Sequence, residues 1–348
     1  MRIAQVSPLF ESVPPRLYGG TERVVSFLTD ALVELGHDVT LFASGDSHTD
    51  AELVACWPRA LRLEGRSEQH LAVHLLQMER VMKRRADFDV VHFHTDPLQF
   101  PLMRREPLAH FTTLHGRLDL PELGPLVREF REMPLVSVSN AQRAPMPWAP
   151  WHGTVHHGLP CDLFEGRFAR GEYLAFLGRI SPEKRVDRAI AIANRLQMPL
   201  RIAAKVDNAD KRYFDETIKP LLDSPWVEFI GEIDERQKQD FLGRAVALLF
   251  PIDWPEPFGL VMIEAMACGT PVVAWRHGSV PEVIEPGLTG AIVEDLDAAS
   301  QAVLDAAKLD RRKCRERFEQ RFTAERMARD YLAIYQALMQ PSALVQAA

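Results

Sequence analysis

The run Glu256-Pro257-Phe258-Gly259-Leu260-Val261-Met262-Ile263-Glu264 sets two carboxylates eight positions apart, one ahead of a predicted helix and one inside it. Pro255 and Pro257 flank the first, which holds it in irregular backbone. Gly259 lets the chain enter a helix carrying Val261, Met262, Ala265 and Met266. Gly269 and Pro271 stop that helix before the apolar strand Val272-Val273-Ala274. A helix N-terminus offers free N–H groups and a positive dipole end to an anion. Glu264 sits between Ile263 and Ala265 on a helix that is apolar nearly all round, so it is expected to be buried and to need a partner. There it can accept hydrogen bonds from vicinal hydroxyls. Phosphate plus diol describes a nucleotide sugar.

Three further segments carry chemistry. Gly178-Arg179-Ile180-Ser181-Pro182-Glu183-Lys184-Arg185 follows a predicted strand. Ser181 can cap and Pro182 can start a helix, which leaves Arg179 at the strand's end and Lys184 in the first turn. Two cations then gather at the carboxyl edge of a sheet, able to neutralise a departing diphosphate. Leu17-Tyr18-Gly19-Gly20-Thr21-Glu22 follows the first strand, where two glycines permit close backbone approach to a ligand. His115-Gly116-Arg117 follows the strand ending at Leu114.

The elements that must position these residues alternate. Ile3–Ser7, Asp38–Ala43, Asp89–His94, Ala109–Leu114 and Pro134–Val138 read as strands, with a helix from Thr21 to about Leu35. The pattern restarts after residue 158 with strands at Tyr173–Leu177, Leu200–Ala204, Val227–Ile230, Val246–Phe250 and Pro271–Ala274, and a helix from Pro182 to Leu196. Repeated strand–helix alternation predicts parallel sheets covered on both faces. The fold class is therefore α/β, with two Rossmann-like domains facing across a cleft, and residues 158–170 serve as the linker. The first domain spans 1–160 and the second 170–320. A last helix, Thr323 to about Met339, carries apolar Met327, Tyr331, Ile334 and Leu338.

Bulk properties exclude several classes. The chain has 348 residues, 47% hydrophobic and 26% charged, too long for one ordinary core. Its net charge of −7 is evenly spread: residues 1–155 hold 16 Lys/Arg against 19 Asp/Glu, and the rest hold 25 against 29. Neither half has the basic footprint of a nucleic-acid binder. Cys56, Cys161, Cys268 and Cys314 lack paired spacing, which fits reduced thiols. No apolar run approaches membrane-spanning length, and Met1-Arg2-Ile3-Ala4 goes straight into strand character. A cytoplasmic protein is expected.

Taken together these segments resemble the retaining glycosyltransferases of the GT-B fold, most closely glycosyltransferase family 4. The resemblance covers essentially the whole chain. It implies that Glu264 holds the ribose hydroxyls of the donor nucleotide and that Glu256 contacts the transferred sugar. Arg179 and Lys184 would bind the diphosphate, with His115 close to the sugar and the Gly19-Gly20 loop facing the diphosphate. Phe258, Gly259, Leu260 and Val261 complete the donor set. The last helix, 323–340, is implied to cross back onto the first domain. Family members often carry Asn where this chain has His157 before Gly158, and His157 has no assigned role. The resemblance also implies retention of configuration without an obvious enzymic nucleophile.

No cofactor is implied. No Asp-x-Asp pair follows a strand, and His92-Phe93-His94-Thr95-Asp96 has two histidines on one side of a strand but no further ligand, so no metal is expected. The donor favoured on family frequency is UDP-glucose, with GDP-mannose second. Acceptor contacts are expected from Arg16, Tyr18, Asp96 and Arg117, on loops that follow strands. A small-molecule acceptor ranks ahead of a membrane lipid, and membrane contact is at most peripheral. The lipid case would rest on Lys83-Arg84-Arg85, Arg104-Arg105 and Pro145–Trp151. Two other classes remain: a nucleotide-sugar epimerase of the same fold, and a non-catalytic sugar-binding protein. A nicotinamide oxidoreductase would need a G-x-G-x-x-G after a strand, which is missing.

Overall fold

The computed structural model describes residues 1–17, 19–65 and 70–340. The chain divides into two compact units, Met1–Pro160 together with the residues from Ala324 onward, and Cys161–Thr323.

The first unit is built on a seven-stranded sheet in the order β3-β2-β1-β4-β5-β6-β7. Its strands are β1 (Arg2–Val6), β2 (Asp38–Ser44), β3 (Glu52–Trp57), β4 (Val90–Phe93), β5 (His110–Thr113), β6 (Leu135–Ser137) and β7 (Trp151–Thr154). Every pairing is parallel. Strand order reverses between β1 and β4, so the loops leaving their carboxyl ends diverge and open a crevice. The last described helix, Ala324–Met339, buries Met327, Ala328, Tyr331 and Tyr335 in this unit. Ile334 and Leu338, expected on that face, are only half-buried, and Tyr335 takes the deep position instead.

The second unit carries six parallel strands in the order β10-β9-β8-β11-β12-β13. They are β8 (Tyr173–Arg179), β9 (Leu200–Lys205), β10 (Val227–Gly231), β11 (Ala245–Phe250), β12 (Val272–Trp275) and β13 (Gly290–Val293). The central β11, Ala-Val-Ala-Leu-Leu-Phe, is buried throughout, as a strand covered on both faces must be. Here the order reverses between β8 and β11, so the second crevice opens beside the loops that follow those two strands.

The expected helix from Pro182 to Leu196 is broken. Pro182–Lys184 form a single 3₁₀ turn, Arg185 adopts a left-handed conformation (φ 50°, ψ 48°), and the α-helix runs from Val186 to Leu196. Ser181 makes no side-chain cap bond. Lys184 therefore lies in a loop turn and not in the helix's first turn.

Candidate active site

In the second unit the loops after β8 and β11 meet. The Asp253 N–H donates to the Glu183 carbonyl at 2.8 Å, and the Arg185 guanidinium donates to Asp253 at 2.9 Å. This brings Lys184 onto Glu256: the ammonium donates to Oε2, and Trp254 Nε1 donates to the same oxygen at 2.9 Å. The ammonium also lies 4.9 Å from the Trp254 ring centroid. Lys184 and Glu256 are mostly shielded, which makes such a charge-assisted bond worth about 1.5–3 kcal/mol. The Ser279 N–H donates to the Glu256 carbonyl at 3.0 Å and its hydroxyl to the Phe258 carbonyl at 2.6 Å, clamping the loop from behind.

Arg179, the last residue of β8, faces three carboxylates. It donates to Glu183 at 2.8 Å and lies 3.7 Å from Asp207 and 3.6 Å from Asp210. Lys205, ending β9, pairs with Asp207 at 2.9 Å. Burial pushes the Glu183 carboxyl up, but its backbone hydrogen bond and Arg179 outweigh that and hold it below the usual carboxylate range. Burial wins at Asp210, which is raised despite Arg179. The two cations expected to gather for a diphosphate are thus both engaged by carboxylates in this structure.

Gly259 enters the Leu260–Ala267 helix with φ 80° and ψ 69°, a left-handed conformation that favours glycine. A Cβ there would stand 3.0 Å from Phe250 and Met262 side-chain atoms. The Phe258 side chain is buried, while Leu260 and Val261 are half-buried at the helix start, where N–H groups have no intrahelical acceptor. Glu264 is 3% exposed, and its partner is Lys238, whose Nζ lies 2.8 Å from Oε1. Lys238 comes from the Glu235–Gly243 helix, which starts at a capping box between Asp234 and Gln237.

In the first unit the glycine pair follows β1. Gly19 caps the Gly20–Glu34 helix, and a Cβ there would fall 2.7 Å from Pro15. Its missing side chain thus serves packing inside the unit. Tyr18 lies outside the described residues. Arg16 is exposed, and Arg117 is held by both oxygens of Asp119 at 2.6 Å. Asp96 is exposed with φ 52°, its carbonyl accepting from Gln99.

His115 is instead part of a buried network. His94 Nδ1 and His115 Nε2 are 2.8 Å apart, and the His157 ring stacks on His115 at 5.4 Å. His92 and His94 lie side by side, 3.9 Å between centroids, as alternate positions where β4 runs into the residue that follows it. Burial pushes His115 down to about 3 and His92, His94 and His157 well below their ordinary range. All four rings are neutral at physiological pH. Among the described residues, no three His, Cys, Asp or Glu side chains are grouped to hold a metal ion.

The family model for Glycosyltransferase Family 4 matches residues 18–197, half of the chain, and the model for Glycosyl transferases group 1 matches 164–323. The chain belongs to glycosyltransferase family 4. Its fold is GT-B. The glycosyltransferase AviGT4, involved in avilamycin A biosynthesis, is 26% identical, with a TM-score of 0.76 over 98% of both chains. Sucrose-phosphate synthase from Thermosynechococcus elongatus shares the fold at TM-score 0.80 and 20% identity, covering 97% of this chain and 98% of that one. The Anabaena protein HepE, solved with UDP and glucose, shares it at 0.75 and 16%, covering 97% and 100%. Among curated sequences, D-inositol 3-phosphate glycosyltransferase of Mycolicibacterium smegmatis is 30% identical over 198 residues, 53% of this chain and 44% of that protein. Glycogen synthase of Mycobacterium tuberculosis is 34% identical over 185 residues, 48% and 44%. The chain thus spans less than half the length of the curated relatives it matches.

Several residues of this family 4 site escape sequence reading. Lys238, Trp254, Gln5 and Tyr335 each complete a contact to a residue that the motifs single out or adjoin. Gln5 alone left a signal, as a polar residue between Ala4 and Val6 in a strand buried on both faces.

Proposed function

We propose that this chain is a retaining glycosyltransferase that moves a hexose from a nucleotide-diphosphate sugar to a hydroxyl acceptor without a metal. The observation that carries the reading is the meeting of the β8 and β11 loops, where Lys184, Glu256 and the start of the Leu260–Ala267 helix come together at a switch point of the sheet. Arg179, Lys184 and the N–H groups of Leu260 and Val261 take the diphosphate, Glu264 the ribose hydroxyls, Glu256 and His115 the sugar. As the bond from the anomeric carbon to the diphosphate oxygen breaks, the acceptor oxygen bonds to that carbon and its proton passes to a phosphate oxygen. Arg179 and Lys184 offset the negative charge that grows on the leaving group.

Uridine diphosphate is the first base to test, because HepE was solved with it and family frequency favours UDP-glucose. A ligand at 100 times its Kd stabilises a fold by about 2.7 kcal/mol. Uridine diphosphate should raise the melting temperature more than guanosine diphosphate; the reverse order would assign a GDP-sugar donor.

A small-molecule acceptor is favoured over a lipid by the state of the basic runs. Lys83 pairs with Glu79, Arg84 with Glu52 and Asp87, Arg85 with Glu106, and Arg104 with Glu129 and Glu132. Little positive charge is left for an anionic membrane. Leu71, Leu75 and Leu76 are nonetheless exposed on the helix that ends at Lys83, so sedimentation with anionic liposomes is the direct check. Strong binding that salt abolishes would reverse the ordering.

A further inference from the structure

The first unit contains a continuous line of hydrogen bonds whose direction is set at one amide. Gln5, fully buried on β1, has Nε2 2.9 Å from the Tyr335 hydroxyl and Oε1 2.8 Å from His94 Nε2. An amide oxygen only accepts, so His94 carries its proton on Nε2. A neutral imidazole has one donor and one acceptor nitrogen, which makes His94 Nδ1 the acceptor. It lies 2.8 Å from His115 Nε2, so that nitrogen must be the donor.

The other arm is fixed in the same way. Tyr335 accepts from Gln5 and donates to His92 Nδ1 at 2.9 Å. His92 Nε2–H then donates to the Thr113 hydroxyl at 2.7 Å, and Thr113 donates to Tyr331 at 3.1 Å. Flipping the Gln5 amide would reverse every bond on both arms. The arm through His94 ends at His115 Nδ1, a buried nitrogen for which the described residues provide no hydrogen-bond partner. In the direction assigned it is a bare lone pair; reversed, it would be an orphaned N–H, the rarer of the two in folded proteins.

We propose that Gln5, acting through His94, is a positioning residue that fixes His115 as the Nε2–H tautomer and reserves its Nδ1 lone pair for a hydroxyl of the ligand. The low proton affinity that burial confers on all four rings supports this, because a protonated ring would have no lone pair to offer. The ligand half of the proposal deepens the glycosyl-transfer reading and rests on it. It means that a neutral, hydroxyl-bearing hexose is accepted and a hexuronate, which would set a carboxylate against the lone pair, is refused. The tautomer itself rests only on the first unit.

The test is a long-range ¹H–¹⁵N correlation spectrum of the full chain with ¹⁵N-labelled histidine. The wild type should show His115 protonated at Nε2 and bare at Nδ1. Gln5→Leu should give mixed tautomers. Gln5→Glu should restore the wild-type pattern, since a carboxyl group offers His94 an acceptor whether or not it is protonated. In turnover, Gln5→Leu should lose about tenfold in kcat/KM, the worth of one hydrogen bond, and Gln5→Glu should recover part of it. A wild-type His115 protonated at Nδ1 overturns the proposal, even if Gln5→Leu does not fold. An unchanged tautomer in a folded Gln5→Leu overturns it too. The predicted tautomer in a chain that transfers no sugar would refute the function and leave the relay standing.

Discussion

Lys238 Nζ lies 2.8 Å from Glu264 Oε1, and the side chains at the two ends of this pair are 13% and 4% exposed. A carboxylate this deep needs a countercharge, and removing one partner of a buried pair costs about 3–5 kcal/mol. Lys238→Met should therefore lower the melting temperature clearly, while also weakening donor binding through the misplaced Glu264. Glu264→Ala should raise the donor KM by the loss of ribose contacts, worth about 1.5–3 kcal/mol. Near wild-type KM in a folded Glu264→Ala protein would remove Glu264 from the donor site.

Lys184 and Arg179 are the groups asked to meet the leaving diphosphate. Arg179→Ala should lower kcat more than it raises KM, because the charge it offsets appears only as the bond breaks. Glu256→Gln, which leaves Lys184 and Trp254 facing a neutral amide, should lower kcat with the fold intact. Steady-state kinetics with the donor varied separates these effects. A rise in KM alone for Arg179→Ala would make it a ground-state binder only.

Activity should persist in excess EDTA, since fixed cations are assigned the role that a divalent ion would otherwise have. Loss of turnover on chelation, restored by Mg²⁺ or Mn²⁺, would overturn that part of the mechanism.

The buried rings make stability depend on pH with a defined sign. Imidazoles in the unfolded chain titrate near 6.5, whereas burial holds His115 down at about 3 and lowers His92, His94 and His157 well below the ordinary range. Below pH ~6.5 the unfolded state thus binds protons that the folded state refuses, and stability falls as pH falls. Each such proton contributes a slope of about 1.4 kcal/mol per pH unit. Glu22 works the other way. Burial raises it from 4.5 to about 7, so its contribution is present at low pH and is lost as pH rises through about 7. Thermal melts between pH ~5 and ~8 should show a falling midpoint on the acid side, steeper in Glu22→Gln. A flat profile would contradict the neutral, buried cluster.

The strands with unbroken apolar runs were legible, as in the Tyr173–Leu177 part of β8 and in β11, because burial on both faces leaves no polar interruption. Glu52–Trp57, Trp151–Thr154 and Gly290–Val293 were not read as strands. All three lie at or next to a sheet edge, and Trp-His-Gly-Thr has no run to detect. Gly153 there makes room for Ile334 of the last helix, a requirement no local pattern reveals. The carboxylates Glu256 and Glu264 stood out because their motif is contiguous. The pairing of Glu256 with Lys184 did not, nor did Lys238 at all, since both lysines reach the carboxylates only through the fold. Gln5 and Tyr335 are 330 positions apart and meet because the last helix packs against the β1 side of the first sheet.

The central claim is acceptor-dependent transfer from a nucleotide-diphosphate hexose with retention. The most direct measurement incubates the full chain with UDP-glucose and with GDP-mannose, each with and without sugar acceptors, following nucleoside diphosphate release and the product anomer by NMR. The account predicts release from UDP-glucose that rises with acceptor, a glycoside with the donor's anomeric configuration, and loss of both in Arg179→Ala. An altered nucleotide sugar formed without acceptor, an inverted product, or tight binding of donor with no turnover would contradict it.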